Sequence, residues 1–421
     1  DIATDVISVA ALGSTLSQGQ YQSLRTKVQE WVASGVLPAR FAVTGHSLGG
    51  FLATGLALEF PQLVEHAYLY NAPGVGGLTG RTSLAEIARA YHISGASVDP
   101  SKFTNVRAKP GLSLVAGLGE QPSAPILVEG EDHGGWLIGT DNHLMKFLVD
   151  SLAIHDAFGR LGSEADQSLA SIGRIVLGSS ERSLGKLEGA LDALRTTVLG
   201  AGAARTPEEN RDALYENLYA LTGSSAYASL ASRATLKPIA SLGQEDIASS
   251  ASGSLGALVA LRYLAPFRLD GVDAQLAASH PDLRASLAHD TALSARRRDV
   301  DGHYTEAWRG ERARMLWHVV SRNESDSIVE RVRRAPIGRA YVDLESGVSL
   351  DPRPNPARTG PAGRTVFGRD DASNSLAGGS GADLLFDQDP TNAEVEVGGQ
   401  RLDTGEFRVV ANRIYEIQVS A

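Results

Sequence analysis

Cysteine is absent from this chain of 421 residues. Its absence excludes disulfides, thiolate metal sites and cysteine nucleophiles together. A chain without cysteine fits the reducing cytosol, and it fits equally well a protein exported by a route that forms no disulfides. The sequence opens with the acidic stretch DIATD instead of a basic segment followed by an apolar one, so no N-terminal signal peptide is predicted there.

Long apolar runs and an excess of positive charge are also lacking. Hydrophobic residues make up 43% of the chain and charged residues 21%, and no uninterrupted apolar run approaches the ~20 residues of a membrane-spanning helix. We therefore predict no membrane span. The 39 basic and 49 acidic residues give a formal net charge of −10, which repels phosphate backbones unless a local basic stripe overrides it. Nucleic acid is not an expected partner.

Three stretches of the chain differ in the spacing of their apolar residues. They predict three domains, over residues 1–160, 161–340 and 341–421. The first stretch alternates short apolar runs with helical patterns, which is typical of βα units in a mostly parallel α/β sheet. Its predicted strands are FAVT (41–44), HAYLYNAPG (66–74), FTNVRA (103–108) and PILVEG (125–130), and its predicted helices are LGGFLATGLALEF (48–60) and HLMKFLVDSLAIHDAF (143–158).

Helical periodicity dominates the second stretch. Apolar residues at alternating steps of three and four predict one buried helix face, which comprises Leu184, Leu187, Leu191, Leu194 and Val198. The run Thr206-Pro207-Glu208-Glu209 combines a capping box with a proline at the first helical position. It predicts a helix that begins there and continues through Leu214 and Leu218. The third stretch, rich in Pro, Gly and Asp before an alternating tail, predicts a small β region.

The motif GHSLGG at residues 45–50 places a serine between glycines, after a predicted strand and before a predicted helix. This is the context of the nucleophile elbow G-x-S-x-G, so Ser47 is the candidate nucleophile. Gly45 and Gly49 are expected where a Cβ would not fit in the tight turn. Leu48 would be the first residue of the following helix, and its N–H is the expected oxyanion donor. The alternative is a glycine-rich turn that carries an inactive serine.

A serine hydroxyl needs a histidine base and usually a carboxylate that orients it. His143, which opens the predicted helix after PILVEG, is the preferred base. His133 in GEDHGG is the competitor, on a loop loosened by Gly-Gly. No carboxylate follows FTNVRA, where the orienting acid is expected, and Asp132 is ranked first in its place. The remaining orienters to consider are Glu120, Glu131, Asp99, Ser113 and a water molecule.

Four segments together resemble a bacterial lipase of the class 3 type, within the α/β-hydrolase fold. They are VTGHSLGGFLATGLALEFP, YLYNAPGVGG, FTNVRAKPGLSLVAGLG and TDNHLMKFLVDSLAIHDAF, within residues 1–160. The resemblance implies Ser47 as nucleophile and His143 as base, while the usual aspartate of the family aligns with Ser113. It also implies an upstream half of the sheet with the second oxyanion donor. Because DIATDVISVAALGS resembles the loop that follows this half, we expect either that a separate N-terminal fragment supplies it or that the oxyanion hole is incomplete.

The segment GGSGADLLF (378–386) fits the nonapeptide G-G-x-G-x-D-x-U-x of calcium-binding parallel β-rolls. Gly379, Gly381 and Asp383 are the candidate Ca²⁺ ligands, because stacked turns offer carbonyl and carboxylate oxygens to a hard cation. A degraded copy stands nine residues earlier, and we expect each repeat to form one turn. A metal-free glycine turn is the alternative. The segment resembles the repeats-in-toxin class, which implies type I export to the outside of the cell.

Together these patterns predict a secreted serine hydrolase of carboxylic esters, with a lipid or another ester as substrate and Ca²⁺ as a structural ion. The alternative is a secreted binding or adhesion protein that retains a hydrolase scaffold with an impaired site.

Overall fold

A computed structural model of the chain describes most of its residues. The described ranges are 19–76, 83–84, 86, 98–109, 119–130, 144–162, 169–179, 186–202, 204–208, 210–325, 328–357, 361–369, 375–377, 383–386, 394–397, 400–402 and 415–417. The chain divides into two compact units, Asp1–His155 and Asp156–Ala421.

The first unit is built on a four-stranded parallel sheet of order β1-β2-β3-β4. The mixed α/β class with a parallel sheet is therefore confirmed. The predicted strands and helices of this unit lie close to their predicted positions, and one further helix precedes them. They are α1 (Gly19–Ala33), β1 (Phe41–His46), α2 (Leu48–Glu59), β2 (Val64–Tyr70), β3 (Phe103–Lys109), β4 (Pro125–Glu129) and α3 (Met145–Gly159).

Helix α2 lies at the centre of the main core of this unit. Its residues from Gly50 to Leu58 are buried except Leu52, which is partly buried, because an apolar helix of this kind can lie against neighbours on several sides. It packs with Tyr21 and Val28 of α1 and with Leu69 of β2. Full burial of Phe51 contributes roughly 1.5–3 kcal/mol by the transfer of its side chain from water. This core fixes α2 against the sheet and thereby fixes the turn that precedes it.

The second unit is largely helical from residue 169 to residue 334 and contains a two-stranded antiparallel sheet. Its elements there are α4 (Leu169–Gly178), α5 (Lys186–Leu199), α6 (Arg211–Thr222), α7 (Ser225–Leu230), β5 (Thr235–Pro238), α8 (Gln244–Ser250), α9 (Leu255–Tyr263), β6 (Phe267–Asp270), α10 (Asp273–Ser279), α11 (Pro281–Ala292), α12 (Ala295–Asp301), α13 (Glu306–Asn323) and α14 (Ile328–Arg334). No helix of the described residues is long and apolar enough to cross a membrane.

The predicted start of a helix at Thr206 is wrong. Helix α6 begins at Arg211, and Asn210 caps it by accepting a hydrogen bond from Ala213 N–H at 3.0 Å. Thr206 instead bonds to the Asp192 carboxylate of α5, through its N–H at 2.8 Å and its hydroxyl at 2.6 Å. A tertiary contact thus takes the hydroxyl that the local pattern assigned to a helix cap. The apolar face predicted for α5 is confirmed for Leu187, Leu191, Leu194 and Val198, which are all buried.

The C-terminal part of the second unit contains two further sheets. One has five strands in the order β14-β11-β9-β7-β8, and the other has three in the order β10-β12-β13. The strands are β7 (Arg339–Asp343), β8 (Ser349–Leu350), β9 (Gly363–Phe367), β10 (Ser375–Ala377), β11 (Asp383–Phe386), β12 (Glu394–Val397), β13 (Gln400–Leu402) and β14 (Tyr415–Ile417).

Two of the parallel pairs in these two sheets, β9 with β11 and β10 with β12, share the same spacing. Val366 of β9 pairs with Leu385 of β11 in one sheet, and Leu376 of β10 pairs with Val395 of β12 in the other. Leu376 and Leu385 are nine residues apart in different sheets, and both are buried in one cluster with Val366. A full turn therefore spans 19 residues, and the expectation of one turn for each nine-residue repeat is wrong. Alternate repeats contribute to opposite sheets.

Candidate functional site

Ser47 is the single residue between the end of β1 at His46 and the start of α2 at Leu48. Its backbone has φ 54° and ψ −124°, a combination that residues with a Cβ rarely adopt and that costs on the order of 1–3 kcal/mol. The Ser47 N–H donates to the carbonyl of Tyr70 at 2.9 Å, and the Ser47 carbonyl accepts from Gly50 N–H at 3.0 Å. The turn is therefore held from both sides in a strained conformation.

Two glycines allow the helix to approach the strand this closely. A Cβ at Gly45 would lie 2.2 Å from the carbonyl carbon and oxygen of Gly49, and a Cβ at Gly50 would lie 2.6 Å from the Cβ of Ala72. A Cβ at Gly49 would meet nothing within 4 Å. The prediction that a Cβ would not fit is confirmed at Gly45 and is wrong at Gly49. The second crowded glycine is Gly50. The sequence contains both glycines, but their spacing alone does not reveal which one is crowded.

Leu48 occupies the first position of α2, as the motif predicts. The first N–H groups of an α-helix lack intrahelical acceptors and carry the positive end of the helix dipole. The Leu48 N–H thus belongs to a set of backbone donors adjacent to Ser47. Such donors can stabilise negative charge that develops on a carbonyl oxygen beside the serine.

Asn71 follows β2 at the carboxyl end of the sheet, and no motif in the sequence marks it. It is buried and has φ 47°. Its N–H donates to the Val106 carbonyl and its Oδ1 accepts from Ala108 N–H, both at 2.9 Å. Asn71 therefore ties the carboxyl end of β2 to β3. The available signal was an asparagine directly after an apolar strand, since asparagine tolerates positive φ better than most residues.

The preferred base and acid, His143 and Asp132, lie outside the described residues, as do His133, Glu131 and Ser113. The strands that precede these residues, β3 and β4, are described to their carboxyl ends. Gly130 N–H donates to the Lys109 carbonyl at 2.5 Å, and Lys109 Nζ lies 3.1 Å from Glu129 Oε1. Because all four strands are parallel, the carboxyl ends of β3 and β4 lie at the same end of the sheet as Ser47.

Asp99 cannot orient a base beside Ser47. It lies before β3, at the opposite edge of the parallel sheet, and it caps a 3₁₀ turn by accepting from Ser101 N–H at 3.0 Å and from Ser101 Oγ at 2.7 Å. These hydrogen bonds lower the pKa of Asp99 because they stabilise its ionised form. Seven residues of β3, at about 3.3 Å each, separate it from the carboxyl edge.

Glu120 is one of the described carboxylates at the carboxyl ends of the strands, where Ser47 is found. Its backbone pairs with Val75, which follows the end of β2, through two hydrogen bonds of 2.7 and 2.9 Å. Its Oε2 accepts from Leu84 N–H at 2.8 Å. Glu120 is exposed and one of its oxygens supports a loop, so any orienting role would fall to the other oxygen.

Asp383, the predicted calcium ligand, is fully buried at the start of β11. Its Oδ1 accepts from Arg364 N–H of β9 at 2.7 Å, so the carboxylate links two neighbouring strands. Gly379 and Gly381 lie outside the described residues. Among the residues that the structure describes, no group of three His, Asp or Glu ligands includes Asp383. Among the described residues Asp383 acts as an acceptor between β9 and β11, and its role as a calcium ligand stays a prediction.

Comparison of the chain with protein-family models, curated proteins and solved structures gave no significant match.

Proposed function

We propose that this protein is a serine hydrolase that cleaves carboxylic esters, with lipids as the expected substrate class. The observation that carries the proposal is the backbone of Ser47, at φ 54° and ψ −124° between a parallel strand and a helix. A fold retains strain of this kind where the surrounding structure enforces it, and such strain clusters at active sites. In a nucleophile elbow it lifts the serine Oγ above the sheet edge.

In the proposed reaction, Ser47 Oγ attacks the ester carbonyl and its proton passes to His143. The protonated base then donates that proton to the leaving alcohol, and the acyl group remains on Ser47. A water molecule, activated by the same base, releases the acid and restores the serine. The Leu48 N–H donates to the carbonyl oxygen while it carries negative charge. Asp132 is the proposed orienter of His143.

The order of the sheet supports an α/β-hydrolase arrangement. The nucleophile follows β1, and the segments that contain the candidate base and acid follow β4 in the same parallel sheet, in agreement with the chain order Ser…His of these enzymes. Strand β1 is at the edge of the sheet, and no described strand pairs with its outer side. We propose that strands of a separate N-terminal fragment add there and bring the second oxyanion donor.

A secreted binding or adhesion protein is the second candidate. The observation in its favour is the end of β3, where Lys109 pairs with Glu129 at 3.1 Å and where the sequence KPGLSLVAGLG (109–119) contains no carboxylate. A scaffold without an orienting acid would lose most of its power to activate Ser47.

Hydrolysis of p-nitrophenyl esters with short and long acyl chains tests the proposal. We expect activity that Ser47→Ala abolishes, and a far larger loss for His143→Ala than for His133→Ala. Equal rates for the wild type and Ser47→Ala would contradict it. The reverse order of the two histidine variants would identify His133 as the base.

A further inference from the structure

A cluster of His289, Asp290 and His303 lies in the helical part of the second unit and includes none of the residues assigned to the proposed reaction. His289 and Asp290 belong to the last turns of α11, and His303 lies between α12 and α13. No sequence pattern predicts chemistry in this region, because Asp290 and His303 are 13 positions apart and no repeat relates them.

The carboxylate of Asp290 is fixed at the centre of the cluster. Its side chain is only 4% exposed. Oδ1 accepts from His303 N–H at 2.6 Å, and Oδ2 accepts from Tyr304 N–H at 2.8 Å. These bonds hold the carboxylate in one orientation and bring the His303 backbone against the end of α11. The orientation of this carboxylate is thus set by backbone hydrogen bonds, in the way that outer-shell hydrogen bonds orient the ligands of metal sites.

The two imidazoles face the same oxygen. Nδ1 of His289 lies 3.3 Å and Nδ1 of His303 lies 3.5 Å from Asp290 Oδ1, and the ligand atoms of all three residues lie within 4.8 Å of one another. Charge-assisted hydrogen bonds between nitrogen and oxygen are shorter, at about 2.7–2.9 Å. Ligands that surround a tetrahedral zinc ion at about 2.0–2.1 Å are separated by about 3.3–3.4 Å. The two separations from Asp290 Oδ1 are close to those of the second arrangement.

The geometry points to a Zn²⁺ site formed by His289, Asp290 and His303. Two imidazole nitrogens and one carboxylate oxygen suit zinc and the neighbouring transition metals, whereas Ca²⁺ and Mg²⁺ prefer oxygen ligands alone. The imidazole side chains of His289 and His303 are 44% and 46% exposed, so an ion can reach them from solvent. Three protein ligands leave the fourth tetrahedral position to water or to a small anion.

A zinc ion here would join the C-terminal end of α11 to the segment that leads into α13. Between them the chain forms α12, so the ion would close a loop that already depends on the two backbone bonds to Asp290. Binding to the folded state alone would stabilise this part of the second unit by mass action.

Isothermal titration calorimetry of the full chain with zinc chloride, after removal of metals by a chelator, tests the site. We expect saturable 1:1 binding that is weaker in His289→Gln and in His303→Gln by more than the ~10–100-fold that outer-shell changes cost. His318→Gln removes an imidazole from the same unit outside the cluster and should leave the affinity unchanged. Both cluster histidines are half-exposed, so their replacement should leave the metal-free melting temperature close to that of the wild type.

No saturable binding by the wild-type chain would overturn the site. Wild-type affinity in both cluster variants would overturn it as well, because the zinc would then occupy another group. Co²⁺ in place of Zn²⁺ gives a second readout. Intense visible absorption, typical of tetrahedral Co²⁺, should appear with the wild type and disappear with either cluster variant, and weak absorption in the wild type would contradict the tetrahedral geometry.

Discussion

The backbone N–H of Ser47 donates a 2.9 Å hydrogen bond to the carbonyl oxygen of Tyr70. This bond joins the turn after β1 to the last residue of β2, so the neighbouring strand helps to hold Ser47 at its positive φ. The next residue of the chain after Tyr70, Asn71, is bonded to β3 in turn. Three parallel strands thus support the position of one serine through hydrogen bonds at their carboxyl ends.

Backbone strain at Ser47 should appear as a difference in the free energy of unfolding between two variants at this position. Glycine has no Cβ and adopts positive φ without steric cost, so we expect Ser47→Gly to be more stable than Ser47→Ala by about 1 kcal/mol. Both variants remove the hydroxyl and should be inactive. Chemical denaturation of the two proteins measures the difference. Equal stabilities would mean that the turn carries no strain.

Because the turn is crowded on one side, alanine substitutions at the two adjacent glycines Gly49 and Gly50 should differ in their effect on stability. Gly50→Ala places a methyl group 2.6 Å from the Cβ of Ala72, and we expect a loss of about 1–3 kcal/mol from the forced shift of α2. Gly49→Ala meets nothing within 4 Å and should be neutral or stabilising by up to about 1 kcal/mol, because alanine favours the helix. Denaturation midpoints of the matched pair test this, and an equal loss in both would contradict the packing of α2 on β2.

Much of the first unit could be predicted from the sequence because its signals are local. Apolar runs bounded by Gly and Pro mark β1 to β4, and the G-x-S-x-G pattern marks the turn at Ser47. The helix start assigned to Thr206 failed because Asp192, distant in sequence, takes its hydrogen bonds.

The cluster of His289, Asp290 and His303 could not be predicted from the sequence for the same reason, since only the tertiary fold brings its members together. Alternation of the nine-residue repeats between two sheets was also unpredictable, because the repeat length alone does not say how many repeats complete one turn.

Acid should destabilise the second unit through His280. Its imidazole is buried and its Nε2 donates to the Thr197 carbonyl at 2.8 Å. Burial lowers the pKa of His280 because it disfavours the charged form, and it outweighs the bond to Thr197, which acts in the opposite direction. The unfolded chain, with a histidine pKa of about 6.5, then binds the proton first, and stability falls as the pH drops below that value.

The measurement for His280 is the melting temperature between pH 7.5 and pH 5. We expect His280→Gln, which can still donate to Thr197, to lose less stability over this range than the wild type. Burial also lowers the pKa of His155, so the variant should reduce the dependence on pH without removing it. An identical pH profile in the variant would contradict the assignment to His280.

Calcium should raise the melting temperature of the full chain if the predicted Gly379, Gly381 and Asp383 ligands form a site. Asp383→Ala also removes the acceptor of Arg364 N–H, so it lowers the melting temperature by itself. The relevant quantity is therefore the shift between calcium and a chelator, measured for each protein, with magnesium as the control ion. A shift of equal size in the variant would exclude Asp383 as a ligand.

The most direct test of the proposed activity is labelling of the full chain by a fluorophosphonate probe, followed by peptide mapping of the modified residue. Such probes react with serines that a base has activated. We predict modification at Ser47, its loss in Ser47→Ala and a strong decrease in His143→Ala. A chain that remains unlabelled, or that is labelled equally well in Ser47→Ala, would contradict the account of Ser47 as a catalytic nucleophile.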